Sequence, residues 1–146
     1  METFSVLFVD DETDFLETLM KRMKKRNVTV SGVSRGEEAI AFLRNHAVDI
    51  VVLDMRMPGM DGIETLREIK KMNPLTEVIM LTGHACLEAA QEGMQLGAFD
   101  YLMKPLNIDE LLYKLQDAYR KKSIQEEKIR QLKQAMAQQE KSCAME

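Results

Sequence analysis

VVLDMRMPGMDG, residues 51 to 62, decides how this chain folds. Together with Ile50 it opens on an unbroken apolar run, Ile50 to Leu53, rich in β-branched residues. That is the pattern of a parallel strand buried on both faces. The run stops at Asp54, and turn signals follow at Pro58-Gly59 and Asp61-Gly62. A carboxylate therefore stands at the carboxyl end of a central strand, on the rim where open α/β sheets bind ligands. An isolated Asp there is most simply a cap on the following turn. An unpaired buried charge is expensive, so the choice rests on what the rest of the chain brings to that rim.

Upstream, Phe4 to Val9 reads as a first strand running straight into Asp10-Asp11-Glu12. Phe15, Leu16, Leu19, Met20 and Met23 recur at helical spacing. The basic residues Lys21-Arg22 and Lys24 to Arg26 close that helix, where they suit the negative end of its dipole. Val28 to Val33 reads as a second strand, and Ser34 with Glu37 as a capping box for a helix through Ala39, Ile40, Phe42 and Leu43. Downstream, Ile63, Leu66, Ile69 and Lys70 fit a third helix stopped near Asn73-Pro74. Val78 to Leu81 reads as a fourth strand ending in Thr82-Gly83, and a weaker helix covers Leu87 to Leu96. Tyr101-Leu102 is a short fifth strand before Lys104-Pro105, and Asn107 with Glu110 caps a last helix. Strands alternating with helices imply, through right-handed crossovers, an α/β fold: a parallel sheet with helices on both faces. Asp10, Asp11, Asp54, Thr82 and Lys104 each follow a strand and so share one rim of it.

With 146 residues the chain makes one domain with length to spare. Its 45% hydrophobic and 30% charged residues are ordinary for a globular protein. A net charge of −4 argues against a direct nucleic-acid surface, which usually carries a basic excess. No basic-then-apolar leader and no apolar run of about 20 residues is present, so no membrane role is expected. Cys86 and Cys143 have neither disulfide nor zinc spacing, which fits a reduced, cytoplasmic protein. The 12 Met are scattered through apolar faces and read as core filling.

From about Lys121 the character changes: Gly and Pro are absent, and residues 123–146 carry four basic and four acidic side chains. Leu111, Leu115, Ala118, Ile129, Leu132 and Met136 keep one 4-3 spacing, but Lys122, Gln125, Gln139 and Cys143 occupy the same seam and weaken it. The domain is therefore expected over residues 1–122, with 123–146 a helical extension or a linker. A solvated helix, a coiled-coil homodimer and a linker to an output domain outside this sequence all remain open.

Three carboxylates converging at strand ends repel one another unless a cation sits among them. An oxygen-only donor set suits a hard ion such as Mg²⁺. Taken singly, each residue has a plainer reading: Asp11 and Glu12 favour a helix N-terminus, Thr82 caps a turn, Tyr101 fills a core, and Lys104 is an exposed turn lysine. Together they offer a metal site, a carboxylate nucleophile, a hydroxyl donor and an ammonium. Those are the parts that phosphoryl transfer to a carboxylate requires, since positioning and charge neutralisation supply most of its catalysis.

The pieces LFVDDE, VVLDMRMPGMDG, VIMLTGHA and GAFDYLMKP make the chain resemble, from Phe4 to about Lys121, the receiver domain of two-component response regulators. The resemblance implies a doubly wound, flavodoxin-like sheet of five strands in the order 2-1-3-4-5 with five helices. It further implies that Asp54 accepts a phosphoryl group from a sensor histidine kinase or a phosphotransfer protein. Asp10, Asp11, Asp54 and the backbone carbonyl of Arg56 would hold Mg²⁺. Lys104 would pair with the phosphoryl oxygens, Thr82 would move to donate to them, and Tyr101 would turn inward as Thr82 shifts. The Lys104-Pro105 bond would be cis. Arg56 and His84, each two residues beyond an active residue, sit where the family varies; they are either rim side chains facing water or, by their own charge and donors, residues that modulate the site. The switched face would be the fourth helix, fifth strand and fifth helix, acting on a downstream protein target or an absent output domain.

A phosphatase of the haloacid dehalogenase type also places an aspartate after a strand. It wants a second acid two residues on, where this chain has Arg56, and a first-strand nucleophile, where this chain has an adjacent Asp pair. The expected protein is therefore a phosphoacceptor switch, catalysing only its own phosphorylation and dephosphorylation. A degenerate receiver serving only as a scaffold is set aside, because no acid, Thr or Lys of the set is missing.

Overall fold

Five strands and five helices alternate in a computed structural model that describes residues 3–56, 61–83 and 87–145. In chain order they are β1 (Ser5–Val9), α1 (Thr13–Lys24), β2 (Thr29–Val33), α2 (Gly36–Asn45), β3 (Ile50–Asp54), α3 (Gly62–Met72), β4 (Glu77–Thr82), α4 (Leu87–Gln95), β5 (Asp100–Met103) and α5 (Ile108–Met145). All pairings are parallel and the sheet order is β2-β1-β3-β4-β5. The order reverses between β1 and β3, so the crevice outside their carboxyl ends is the topological switch point. Asp10 and Asp54 stand on either side of it.

Every residue of β3 is buried, as its apolar run requires. Ile50 and Val52 face one core with Phe8, Leu19, Met23, Leu111 and Leu115, beneath α1 and α5. Val51 and Leu53 face the other with Ala39, Leu66, Ile69, Met80 and Ala90, beneath α2, α3 and α4. Each fully buried aliphatic side chain contributes about 1.5–3 kcal/mol, so the two-sided burial of β3 fixes its register firmly. The entry to α3 is close-packed: a Cβ on Gly62 would lie 2.6 Å from the Met55 Cα, which only glycine permits.

Helix caps show where local signals held. Asn107 accepts the Glu110 amide (3.1 Å) and opens α5 as expected. Asp61, read only as a turn residue, accepts the Glu64 amide (2.8 Å) and caps α3. The Ser34–Glu37 capping box is not what opens α2. Arg35, extended at φ −142° and ψ 155°, stands at the N-cap without a side-chain bond, and the helix begins one residue later at Gly36. That shift puts Glu38 at the third helical position, and Ser34 donates to its carboxylate (3.2 Å).

The last helix continues without a break through 38 residues, about 57 Å at 1.5 Å per residue. Leu111, Leu115 and Ala118 are fully buried against the sheet. At the lower edge Lys122 pairs with Asp49 (3.0 Å) and Glu126, while Asp49 also accepts the Ser5 amide (2.9 Å). Beside it, Glu77 is buried between Lys121 (3.3 Å) and Lys70 (3.8 Å). Beyond these ion pairs the same apolar stripe leaves the body, and Ile129, Leu132 and Met136 are 39%, 63% and 61% exposed. No helix among the described residues is long and apolar enough to cross a membrane.

Candidate functional site

Asp10 follows β1 and is buried; its amide donates to the Val33 carbonyl (3.1 Å), which continues the β1–β2 ladder past the strand end. Its two carboxylate oxygens do different jobs. Oδ1 accepts the Glu12 amide (2.9 Å), and Oδ2 accepts from the Lys104 ammonium (3.0 Å). Asp54, the last residue of β3, is only 5% exposed. The Met55 amide still pairs with the Leu81 carbonyl (3.1 Å), which holds the Asp54 backbone in the sheet. Asp54 Oδ1 accepts the Arg56 amide (3.1 Å), and Oδ2 lies 3.6 Å from Lys104 Nζ.

Thr82 ends β4, and its carbonyl accepts the Lys104 amide (2.9 Å), which brings β4 and the end of β5 together at the rim. The Lys104-Pro105 peptide is cis. The Lys104 ammonium lies 4.8 Å from the centroid of the Phe15 ring on α1. The Thr82 hydroxyl is buried and has no hydrogen-bond partner among the described residues. A buried hydroxyl left unpaired costs about 1–3 kcal/mol. A Cβ on the next residue, Gly83, would meet nothing within 4 Å among the described residues. Asp11, Glu12, Asp54, Arg56, Thr82, Gly83 and Lys104 line a cleft of about 310 Å³.

Electrostatics in the cleft are unbalanced toward negative. Carboxylate oxygens of Asp10, Asp11 and Asp54 all lie within 4.8 Å of one another, against the one ammonium of Lys104. Burial pushes the Asp54 carboxyl up to about 6, with the Asp10 and Asp11 charges adding, against the Arg56 amide and Lys104, which lower it. Burial of Lys104 works to lower its pKa, but the hydrogen bond to Asp10 and the Asp54, Asp10 and Glu12 charges hold it above the ordinary lysine value. A set of three convergent oxygen donors with excess negative charge suits a hard divalent cation.

Asp10, Asp11, Asp54, Arg56, Thr82 and Lys104 are thus brought together. Tyr101 lies on β5 and is 39% exposed, outside the cleft. His84, with Pro58 and Gly59, lies outside the described residues. Glu12 and Phe15, the two α1 neighbours of the lysine, carried no site signal in the sequence. A roomier groove of about 540 Å³ lies at the opposite end of the sheet between Asp49, Leu75 and α5. It holds no comparable convergence of buried carboxylates.

A sequence model described as the response regulator receiver domain matches residues 6–116, from β1 into α5. The chain belongs to this family. Its receiver domain is 39% identical over 110 residues to the DNA-binding transcriptional regulator NtrC of Salmonella typhimurium, covering 75% of this chain and 24% of that protein. It is 36% identical over 117 residues to the transcriptional regulatory protein ZraR of Escherichia coli K12, covering 80% of this chain and 26% of that one. The chain spans about a quarter of the length of these relatives. Among solved structures, a response regulator receiver domain protein from Clostridium thermocellum superposes with a TM-score of 0.79 at 35% identity, covering 83% of this chain and 98% of the other. NtrX from Brucella abortus gives 0.81 at 28% identity, covering 86% of this chain and 29% of NtrX. Receiver domains bind Mg²⁺ at an acidic pocket, and the clustered Asp10, Asp11 and Asp54 oxygens could hold a metal ion.

Proposed function

We propose that Asp54 is the phosphoacceptor of this receiver domain and that the phosphoryl group comes from a sensor histidine kinase or a phosphotransfer protein. The observation that carries the reading is the Thr82 hydroxyl, buried without a partner among the described residues, on the same cleft as a carboxylate that already has one ammonium 3.6 Å away. A hydroxyl and an ammonium flanking an aspartate supply donors for oxygens that the unmodified site does not contain.

In the transfer, an Asp54 carboxylate oxygen attacks phosphorus, the phosphorus–nitrogen bond of the donor phosphohistidine breaks, and the imidazole leaves with that electron pair and takes up a proton. Asp54 is preorganised by the Arg56 amide, which holds Oδ1 and leaves Oδ2 toward Lys104. Lys104 then pairs with the phosphoryl oxygens, and Thr82 donates its hydroxyl to another of them. Asp10, Asp11, Asp54 and the Arg56 backbone carbonyl are the residues that would hold Mg²⁺. When bound there, Mg²⁺ supplies charge neutralisation for the transferring group. Hydrolysis of the aspartyl phosphate by water returns Asp54 and inorganic phosphate, at a rate that Arg56 and His84 modulate. The chain thus catalyses only its own phosphorylation and dephosphorylation.

The signal is a shift of population. As Thr82 moves onto the phosphoryl group, Tyr101 turns inward and the face formed by α4, β5 and α5 changes, which controls a downstream protein target or an output domain outside this sequence. Phosphorylation biases that face only by its differential interaction with the two states. The receiver body is residues 1–122 and residues 123–146 are its helical extension or linker, with a homodimer along the exposed stripe. The location is cytoplasmic, with the kinases that feed such domains. Incubation with a small phosphodonor and Mg²⁺ should label the protein at an acid-stable, base-labile site. Labelling that survives Asp54→Asn, or that proceeds equally in EDTA, would sink the reading.

A further inference from the structure

Among the described residues the Lys104 ammonium has three acidic neighbours and one aromatic: Asp10 at 3.0 Å, Glu12 and Asp54 at 3.6 Å each, and the Phe15 ring at 4.8 Å. Glu12 is the one acid of the three with no part in the proposed chemistry so far. It occupies the N-cap of α1, yet its side chain makes no cap hydrogen bond. Glu is also not among the residues that favour that position. Its carboxylate is turned to Lys104 instead. The placement is built: one oxygen of Asp10 accepts the Glu12 amide while the other holds the ammonium that Glu12 faces. Glu12 is outside the cluster of convergent Asp10, Asp11 and Asp54 oxygens, and its side chain is 66% exposed. A contact that exposed is weak and readily exchanged.

We propose that Glu12 is a positioning residue of the phosphorylation site: it shares Lys104 with Asp10, holds the ammonium on the α1 side of the cleft, and makes an arriving phosphoryl group compete for it. The proposal rests on the reading of Asp54 as the acceptor. An anion bonded to Asp54 draws Lys104 toward itself, and the ammonium gives up Glu12 before Asp10 because Asp10 alone is within hydrogen-bond distance. Glu12 therefore raises the threshold for loading, in this chain's own geometry, without touching the reacting atoms.

Two substitutions separate direct pairing from bulk charge. Glu12→Gln keeps the length and removes the charge. Glu12→Asp keeps the charge, withdraws the carboxylate by about 1.5 Å, one carbon–carbon bond, and supplies a favoured N-cap residue whose side chain turns to the helix amides. The 146-residue wild type, both variants and Asp54→Asn are titrated with beryllofluoride in Mg²⁺, followed by NMR, and phosphorylated with acetyl phosphate. Both Glu12 variants should load two- to fivefold more readily than wild type, the scale of an exposed ion pair. Both should also shift the Lys104 Nζ resonance before any donor is added. Glu12→Asp should at the same time raise the unfolding midpoint, a combination that a merely structural role does not produce. Faster loading in Glu12→Gln alone, with Glu12→Asp like wild type, overturns the proposal in favour of long-range charge. Loading that depends on Asp54 but ignores both Glu12 variants overturns it in favour of a solvated cap. Failure of wild type itself to bind beryllofluoride overturns the acceptor reading and this proposal with it.

Discussion

Lys104 Nζ lies 3.6 Å from Asp54 Oδ2 but 3.0 Å from Asp10 Oδ2, so the ammonium pairs with the first acid and only leans toward the second. Asp54 is consequently under-compensated, and its carboxyl is pushed up to about 6 from 3.8, chiefly by burial. A carboxyl whose pKa is raised by folding binds its proton more tightly in the native state. Its stabilising contribution is complete below pH 4 and is lost as pH rises through 6. Two pKa units correspond to about 3 kcal/mol as an upper bound. In metal-free buffer, Asp54→Asn should therefore stabilise the protein at pH 7.5 and progressively less toward pH 5. Urea unfolding at the two pH values measures this, and a variant less stable than wild type at pH 7.5 would contradict it.

Thr82 should be separable from the chemistry. Because its hydroxyl is buried and unpaired among the described residues, Thr82→Val removes a desolvated polar group and should leave stability unchanged or raise it by about 1 kcal/mol. The variant should still accept phosphoryl groups but lose the response of α4, β5 and α5. Amide chemical shifts on adding beryllofluoride report both, and changes confined to α1 and α2 would count against the switch.

Arg56 is exposed at the lip of the cleft, with its amide on Asp54. Its guanidinium carries five donors suited to phosphate oxygens, and leaning over an aspartyl phosphate it would block the in-line water. Arg56→Asn should speed loss of label roughly tenfold, equivalent to about 1.4 kcal/mol of barrier. An unchanged or slower rate at fixed Mg²⁺ and pH makes Arg56 a rim residue only.

The stripe beyond the body is short. Lys122 is occupied by Asp49 and Glu126, so a partner helix would meet only Gln125, Ile129, Leu132, Met136 and Gln139 on the described seam. Two heptads with polar ends support a weak dimer, with a Kd of about 10–100 µM, or roughly 5.5–7 kcal/mol. Leu132→Asp, or deletion of residues 123–146, should abolish it while leaving Asp54 phosphorylation intact. Sedimentation showing a monomer at hundreds of micromolar would remove the seam from the account.

The sheet was legible because β3 announces itself: five consecutive residues buried on both faces leave no polar position to blur the pattern. The rim residues were legible for the same reason, since each directly follows an apolar run. Side chains that act across the fold were not. Glu77 reads as the polar residue before a strand, yet it is buried between Lys70 and Lys121, which lie on other elements. Phe15 fits the apolar periodicity of α1 and shows nothing of the lysine above it. The start of α2 slipped by one residue because the extended backbone at Arg35 outweighed the local preference of Ser34. Ile129, Leu132 and Met136 share the spacing of Leu111 and Leu115, and spacing alone does not say which half of the stripe is covered.

The most direct measurement is chemical trapping of the acceptor. The 146-residue protein, phosphorylated with acetyl phosphate in Mg²⁺, is reduced with borohydride, which converts an aspartyl phosphate to homoserine, and the modified residue is mapped by peptide mass spectrometry. The account predicts homoserine at Asp54 and none when Mg²⁺ is chelated. Homoserine at Asp10 or Asp11, or a phosphorylated protein whose Asp54 remains aspartate after reduction, would contradict it.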